Sequence, residues 1–215
     1  MKLYSYFRSS AAYRVRIALN LKGLDYEIIP VHLLRNGGEQ LSDAYRRINP
    51  AGLVPTFVDD AATIGQSLAI VEYLDEVHPQ PALLPLGAAD RARVRAIAQS
   101  IACDIHPLNN MRVLKYLRNE LGADEEAKNG WYRHWTEHGL RIVERLLADS
   151  PATGLYCHGD QPTIADLCLV PQVYNARRFD CNLDDCPTIV RIDAQCNTLP
   201  AFQKAAPDRQ PDAQA

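Results

Sequence analysis

Two serines, Ser9 and Ser10, stand where a strand-like opening gives way to a helix, in Tyr6-Phe7-Arg8-Ser9-Ser10-Ala11-Ala12-Tyr13-Arg14-Val15-Arg16-Ile17-Ala18-Leu19. A serine at a helix start can accept from free backbone amides. The same helix start carries unpaired N–H donors and partial positive charge. Such a place stabilises an anion, including a thiolate. Arg8, just before the hydroxyls, can hold a carboxylate. The segment suits a negatively charged sulfur ligand beside an acidic substrate. It also suits an ordinary capped helix, so the rest of the chain must decide.

Gln66-Ser67 offers a second helix start directly after a strand. A side-chain amide, a hydroxyl and free N–H groups converge there, as an α-amino acid carboxylate would require. A plain N-cap by Ser67 is the alternative. Val54-Pro55 precedes another strand, and proline there points to a special turn, with a cis bond as one option. A cis bond would turn the Val54 amide and carbonyl toward a peptide-like ligand. Arg8, Arg112 and Arg178 come from distant parts of the chain and are suited to separated carboxylates. Arginine on a helix is more commonly a solvated surface residue. Thr163-Ile164-Ala165-Asp166 fits a capping box that starts an apolar helix.

These residues need elements to position them. Lys2–Tyr6 is expected as a strand, Ala12–Lys22 as a helix ended by Gly23, and Tyr26–Leu33 as a second strand. Leu41–Ile48 follows as a short helix, then a hairpin of Thr56–Asp59 and Thr63–Gly65, then a helix over Ser67–Val77. The order βαβαββα gives a small mixed sheet with helices on its faces. Residues 79–87 contain three prolines and a glycine, and are expected as a linker. Helices follow over Ala89–Ile105, Leu108–Leu121, Glu125–Ala148, Ile164–Arg178 and Thr188–Cys196. The expected domains are 1–80, α/β, and 88–208, all-α. The polar tail after Pro207 is expected to fray.

Composition narrows the function. The 215 residues are 47% hydrophobic and 23% charged, with a net charge of −3. Such a chain has no global basic field for nucleic acid, and Arg14/Arg16 and Arg177-Arg178 are only local clusters. No apolar run approaches a membrane span. The N-terminus lacks a signal-peptide layout, so a cytoplasmic protein is expected. Six cysteines, at 103, 157, 168, 181, 186 and 196, form no C-x-x-C and are expected as free thiols. His134 and His138 lie four apart but without the glutamate of H-E-x-x-H, so no metal site is expected.

The segment Ser9–Leu19 resembles the motif S-S-C-x-W-R-V-R-I-A-L of the zeta class of glutathione transferases, the family of maleylacetoacetate and maleylpyruvate isomerases. Further matches are Leu21–Tyr26, Asn49-Pro50 through Thr56, Gln66–Leu74, Ala165–Val173, Asn175–Phe179, Ala201-Phe202 and Arg209–Asp212. The resemblance covers nearly the whole chain. It implies a thioredoxin-like N-terminal domain, an all-α C-terminal domain, and a homodimer that uses glutathione as cofactor. By position, Ser9 would stabilise the glutathione thiolate and Ser10 would support it. Gln40 would reach the glycyl end, Val54 would pair with the cysteinyl backbone, and Gln66 and Ser67 would hold the γ-glutamyl group. Arg8, Arg112 and Arg178 would bind substrate carboxylates.

The implied activity is cis–trans isomerisation of a maleyl compound by reversible thiol addition. Maleylacetoacetate, from aromatic amino acid breakdown, is the first expected substrate, and maleylpyruvate of a gentisate-type pathway is the runner-up. A general glutathione transferase or peroxidase, or a non-enzymatic ligand binder, are the further alternatives. Two positions depart from the motif: Ala11 replaces its cysteine and Tyr13 its tryptophan. The reacting sulfur belongs to glutathione, so the chemistry survives the loss of that cysteine.

Overall fold

The computed structural model describes residues 1–213, which divide into two compact units. The first comprises Met1–Leu83 together with Asn197 to the last described residue; the second is Leu84–Cys196. The C-terminal segment therefore packs with the first unit, where a linear division at the proline-rich linker assigned it to the second.

The first unit runs β1 (Lys2–Ser5), α1 (Ser10–Leu21), β2 (Glu27–Pro30), α2 (Asp43–Ile48), β3 (Thr56–Val58), β4 (Thr63–Gly65) and α3 (Ser67–Val77). The sheet order is β2-β1-β3-β4. β1 pairs in parallel with β2, and β3 is antiparallel to both β1 and β4. This is the expected βαβαββα order. β2 is shorter than its apolar run because His32 turns the chain: its Nδ1 accepts from the amides of Leu34 and Arg35 at 3.2 and 2.9 Å. α1 stops at Gly23, whose φ of 65° lets the amides of Gly23 and Leu24 close back on Asn20 and Leu19.

The second unit is helical: α4 (Ala88–Gln99), α5 (Met111–Asn119), α6 (Glu125–Ala148), α7 (Ile164–Arg178) and α8 (Pro187–Cys196). The single helix expected over Ala89–Ile105 changes at Ser100 into a π-helical segment, Ser100–Ile105. Ser100 donates its hydroxyl to the Ala96 carbonyl at 3.0 Å, the kind of side-chain competition that perturbs a helix ladder. The helix expected from Leu108 begins at Met111 instead, because Asn110 caps it by accepting from the Arg112 amide at 3.0 Å. The capping box holds: the Asp166 carboxylate accepts from the Thr163 amide and hydroxyl at 2.7 and 2.9 Å. It also accepts from the Cys157 amide at 2.8 Å, tying the preceding loop to the start of α7. Twelve of the fifteen α7 residues are buried, which makes it the central helix of this unit.

The chain then returns as α9 (Pro200–Ala205) against α1. Between α3 and α9, α1 buries every residue from Ala12 to Leu19. That includes Arg14 and Arg16, which are 2% and 0% exposed and are no surface cluster. Arg16 donates to the Ala205 carbonyl, the Ser5 hydroxyl and the Phe7 carbonyl at 2.9, 3.1 and 3.0 Å. Its guanidinium is pulled down to about 10 by burial. Over residues 208–213 the tail expected to fray is instead anchored, the last two positions lying outside the described residues: Gln210 and Asp212 are buried, and Asp212 accepts from the Phe7 amide at 2.9 Å.

Candidate active site

The strand register brings the sequence-distant motifs to one edge. Tyr4 pairs with Thr56, and Thr56 with Gly65. The turn after β1, the turn before β3 and the turn after β4 therefore leave the sheet side by side. These turns carry Arg8-Ser9-Ser10, Val54-Pro55 and Gln66-Ser67. The parallel pair Ser5–Pro30 places the exit of β2, which leads to Gln40, at the same end.

Ser9 is the N-cap of α1, and its Oγ accepts from the Ala12 amide at 3.2 Å. The hydroxyl proton is not used in that bond, so Ser9 can donate outward while it caps. Ser10 is the first helical residue and is buried. Arg8 is exposed, its guanidinium 4.8 Å from the centroid of the Phe7 ring. Phe7 is gripped on both backbone groups, its amide by Asp212 and its carbonyl by Arg16. The residue preceding Arg8, two positions before Ser9, is thus fixed by the far end of the chain, a contact with no local sequence signal.

Ser67 is buried and is the first residue of α3, not its cap. The cap position belongs to Gln66, whose side chain makes no capping bond and whose φ is 68°. A non-glycine residue at such a φ is strained, and strain of this kind concentrates at ligand clamps. The Ser67 hydroxyl accepts from Arg14 Nη1 at 3.2 Å. It too keeps its proton for an outside acceptor.

The Val54-Pro55 bond is cis, the less common of the two options. Val54 forms no hydrogen bond with other described residues, so both of its main-chain groups are available. Gln40 lies on a single 3-10 turn, Glu39–Leu41, and is 8% exposed, with its Oε1 unpartnered. Gly38 (φ 115°) lets the chain fold back over the Gln40 amide; a Cβ there would stand 2.6 Å from Gln40 Nε2.

Arg112 and Arg178 belong to the second unit, at the start of α5 and the end of α7, and both are exposed. Arg178 stacks its guanidinium 4.7 Å from the Phe179 ring centroid, and that ring stacks on Tyr132 at 3.7 Å. His134 and His138 stack in parallel at 6.2 Å. All six cysteines are free thiols, and only Cys103 is exposed. Burial pushes Cys181 and Cys186 up to about 11, and Cys157 and Cys196 higher still. None of these four is a thiolate at neutral pH.

A four-stranded mixed sheet of order β2-β1-β3-β4, with two helix N-termini and a free turn aimed off one edge, defines a thioredoxin-like domain built to hold an anionic, peptide-like ligand. The glutathione S-transferase N-terminal domain model matches residues 3–82. The chain belongs to the glutathione transferases, in the zeta-class group of maleylacetoacetate and maleylpyruvate isomerases. It is 52% identical over 211 residues to the probable maleylacetoacetate isomerase of Vibrio cholerae, covering 98% of this chain and 97% of that one. A solved zeta-class bacterial maleyl pyruvate isomerase in its holo form is 51% identical, with a TM-score of 0.96 over 99% of this chain and all (100%) of that one. A maleylacetoacetate isomerase from Methylobacterium extorquens AM1, solved with bound malonate and glutathione, is 39% identical, with a TM-score of 0.96 over 100% of both chains.

Proposed function

We propose that this protein is a glutathione-dependent cis–trans isomerase that converts maleylacetoacetate to fumarylacetoacetate. The observation that carries the reading is the register-enforced convergence of Ser9, Val54 and Ser67 at one sheet edge. The donors there fit a γ-glutamyl tripeptide. The α3 N-terminus and the Ser67 hydroxyl suit its amino-acid carboxylate, the free Val54 main chain its cysteinyl amide, and the unpartnered Gln40 Oε1 can accept from the N–H of its glycyl end. Bound glutathione supplies the thiolate whose reversible addition to the cis double bond permits rotation.

In this reading the chain's own residues do the following. Ser9 donates its hydroxyl to the sulfur while still capping α1, and the α1 N-terminus, with Ser10 behind it, favours negative charge there. Gln66 and Ser67 anchor the γ-glutamyl end, so that the sulfur is held in line with the substrate. Arg8 on the first unit, and Arg112 and Arg178 on the second, are assigned to the substrate's carboxylates and to the charge that develops during addition. No cysteine of the protein takes part.

The family resemblance also supports a cytoplasmic homodimer. Sedimentation at twice the chain mass and recovery in the soluble cell fraction test these two points. No helix among the described residues is long and apolar enough to cross a membrane.

Maleylpyruvate is the second reading, favoured by the 51% identity to a solved maleyl pyruvate isomerase. Initial rates on both maleyl compounds, with and without glutathione, separate the two. The expected result is a higher kcat/KM on maleylacetoacetate, with glutathione required but not consumed. The opposite preference assigns maleylpyruvate. Consumption of glutathione makes the protein a transferase or peroxidase, and turnover without glutathione overturns the thiol mechanism.

A further inference from the structure

Between α4 and α5 the chain changes its helical geometry twice. The π-helical segment Ser100–Ile105 passes into a 3-10 turn, His106–Asn109, and Asn110 then caps α5. Short irregular turns of this kind hold their own direction poorly. α5 has no buried residue, so it has little of its own to fix its place. Yet Arg112, assigned to a substrate carboxylate, is the second residue of α5 and takes its position from whatever holds this turn.

Three residues of α6, spread over about two helical turns, hold it. Gly139 faces Ile105: a Cβ there would stand 2.3 Å from Ile105 Cγ1 and 2.6 Å from Cδ1. The nearer atom is not the free end of the side chain, so an added methyl has to shift Ile105 itself. Asn109 Nδ2 donates to the Thr136 hydroxyl oxygen at 2.8 Å, with both residues buried. Trp131 Nε1 donates to the Leu108 carbonyl at 2.9 Å. Glycine is a poor helix former, and the contact with Ile105 gives Gly139 a reason to be there. The other glycine of α6, Gly130, has no such reason, because a Cβ there would meet nothing within 4 Å.

Asn109 adds a second sign. Its Oδ1 is buried with no hydrogen-bond partner among the described residues. A half-satisfied buried amide is unfavourable for stability. An apolar pair at 109 and 136 would avoid that penalty. The amide–hydroxyl pair instead gives a directional contact, which fixes one position of the turn rather than a range.

We propose that Gly139, Thr136 and Trp131 are positioning residues for Arg112. They clamp residues 105–109 onto α6, and so set where α5 starts and where its second residue stands. They act through Arg112 and not on the reacting atoms. The inference rests on the substrate role given to Arg112 and adds the brace that aims it.

The test is a double-mutant comparison. KM for the maleyl substrate and calorimetric glutathione affinity are measured for Thr136→Val, Gly139→Ala and Trp131→Phe, each alone and combined with Arg112→Ala. Alone, each should raise KM by roughly three- to tenfold, as a small displacement of a binding group does, with glutathione affinity within about twofold of wild type. Combined with Arg112→Ala, each should add less than about twofold, because the group it aims is gone. Thr136→Ser keeps the hydroxyl and should stay close to wild type. Gly130→Ala should raise the unfolding temperature and leave KM unchanged. Thr136 also bonds the Cys181 thiol, so Gly139→Ala and Trp131→Phe carry the result if Thr136→Val is insoluble or disturbs that contact.

Equal KM rises with and without Arg112 overturn the brace. So does an unchanged KM, a matching loss of glutathione affinity, or a KM rise from Gly130→Ala. Wild-type KM in Arg112→Ala overturns the substrate role of Arg112 itself, a result distinct from the others.

Discussion

The proposed mechanism gives Ser9 a second function beside its cap, and a set of substitutions separates the two. Its Oγ accepts the Ala12 amide at 3.2 Å as the cap of α1, and its hydroxyl proton is assigned to the thiolate. Loss of a serine cap costs about 1 kcal/mol, and replacement by glycine only a few tenths. For a chain of this size 1 kcal/mol corresponds to roughly 2–4 °C in unfolding temperature. A hydrogen bond to a charged acceptor is worth about 1.5–3 kcal/mol. That is about one to two decades in rate if the bond persists in the transition state. Ser9→Ala should therefore lose both a few degrees and one to two decades. Ser9→Gly should lose the same rate with little change in stability, and Ser9→Thr should keep most of both. The assay is kcat at saturating glutathione beside thermal unfolding of the ligand-free protein. A full-rate Ser9→Ala would move the thiolate role to Ser10 or to a backbone amide. Rate losses that scale with the stability losses would reduce Ser9 to a cap.

Arg112→Ala should raise KM for the maleyl substrate by about tenfold while glutathione affinity stays within about twofold; an equal loss of glutathione binding counts against a substrate role. Asp212→Ala removes the acceptor of the Phe7 amide and should lower stability by about 1–3 kcal/mol in denaturant titration, with a fall in kcat because Phe7 leads directly into Arg8-Ser9. Unchanged stability would mean that the C-terminal segment does not hold that turn. Iodoacetamide at neutral pH should modify Cys103 first and leave glutathione-dependent turnover intact. Burial holds Cys157, Cys181, Cys186 and Cys196 protonated, so labelling of Cys181 and Cys186 should rise only as pH climbs toward about 11. Loss of turnover that follows labelling of one cysteine would place the reactive sulfur in the protein.

Local sequence carried a large part of this molecule. Glu125–Ala148 and Ile164–Arg178 match α6 and α7 at both ends, because each opens on a cap that acts within three residues: Asp124 for one, the Thr163–Asp166 box for the other. Gly23, Ser9 and the 56–65 hairpin were legible for the same reason. Boundaries failed where a side chain competed locally with the backbone, at His32, Ser100 and Asn110. The site residues Ser9, Val54, Gln66 and Ser67 were visible as types in order. The burial of Arg14 and Arg16 had no signal along the chain, where the two stood only as a small local charge cluster.

Sequence by itself thus determined the two helix starts, the free turn before β3, the order of strands and the helical second half. Each depends on contacts among residues a few positions apart. Tertiary structure alone decided that Ser67 accepts from Arg14 rather than capping α3, and that Arg14 and Arg16 are buried. It alone brought Asp212 to Phe7 across 205 positions and Ala205 to Arg16 across 189. Such pairings follow from how α1 is enclosed between α3 and α9, and no periodicity or motif along the chain encodes which distant groups that enclosure brings together.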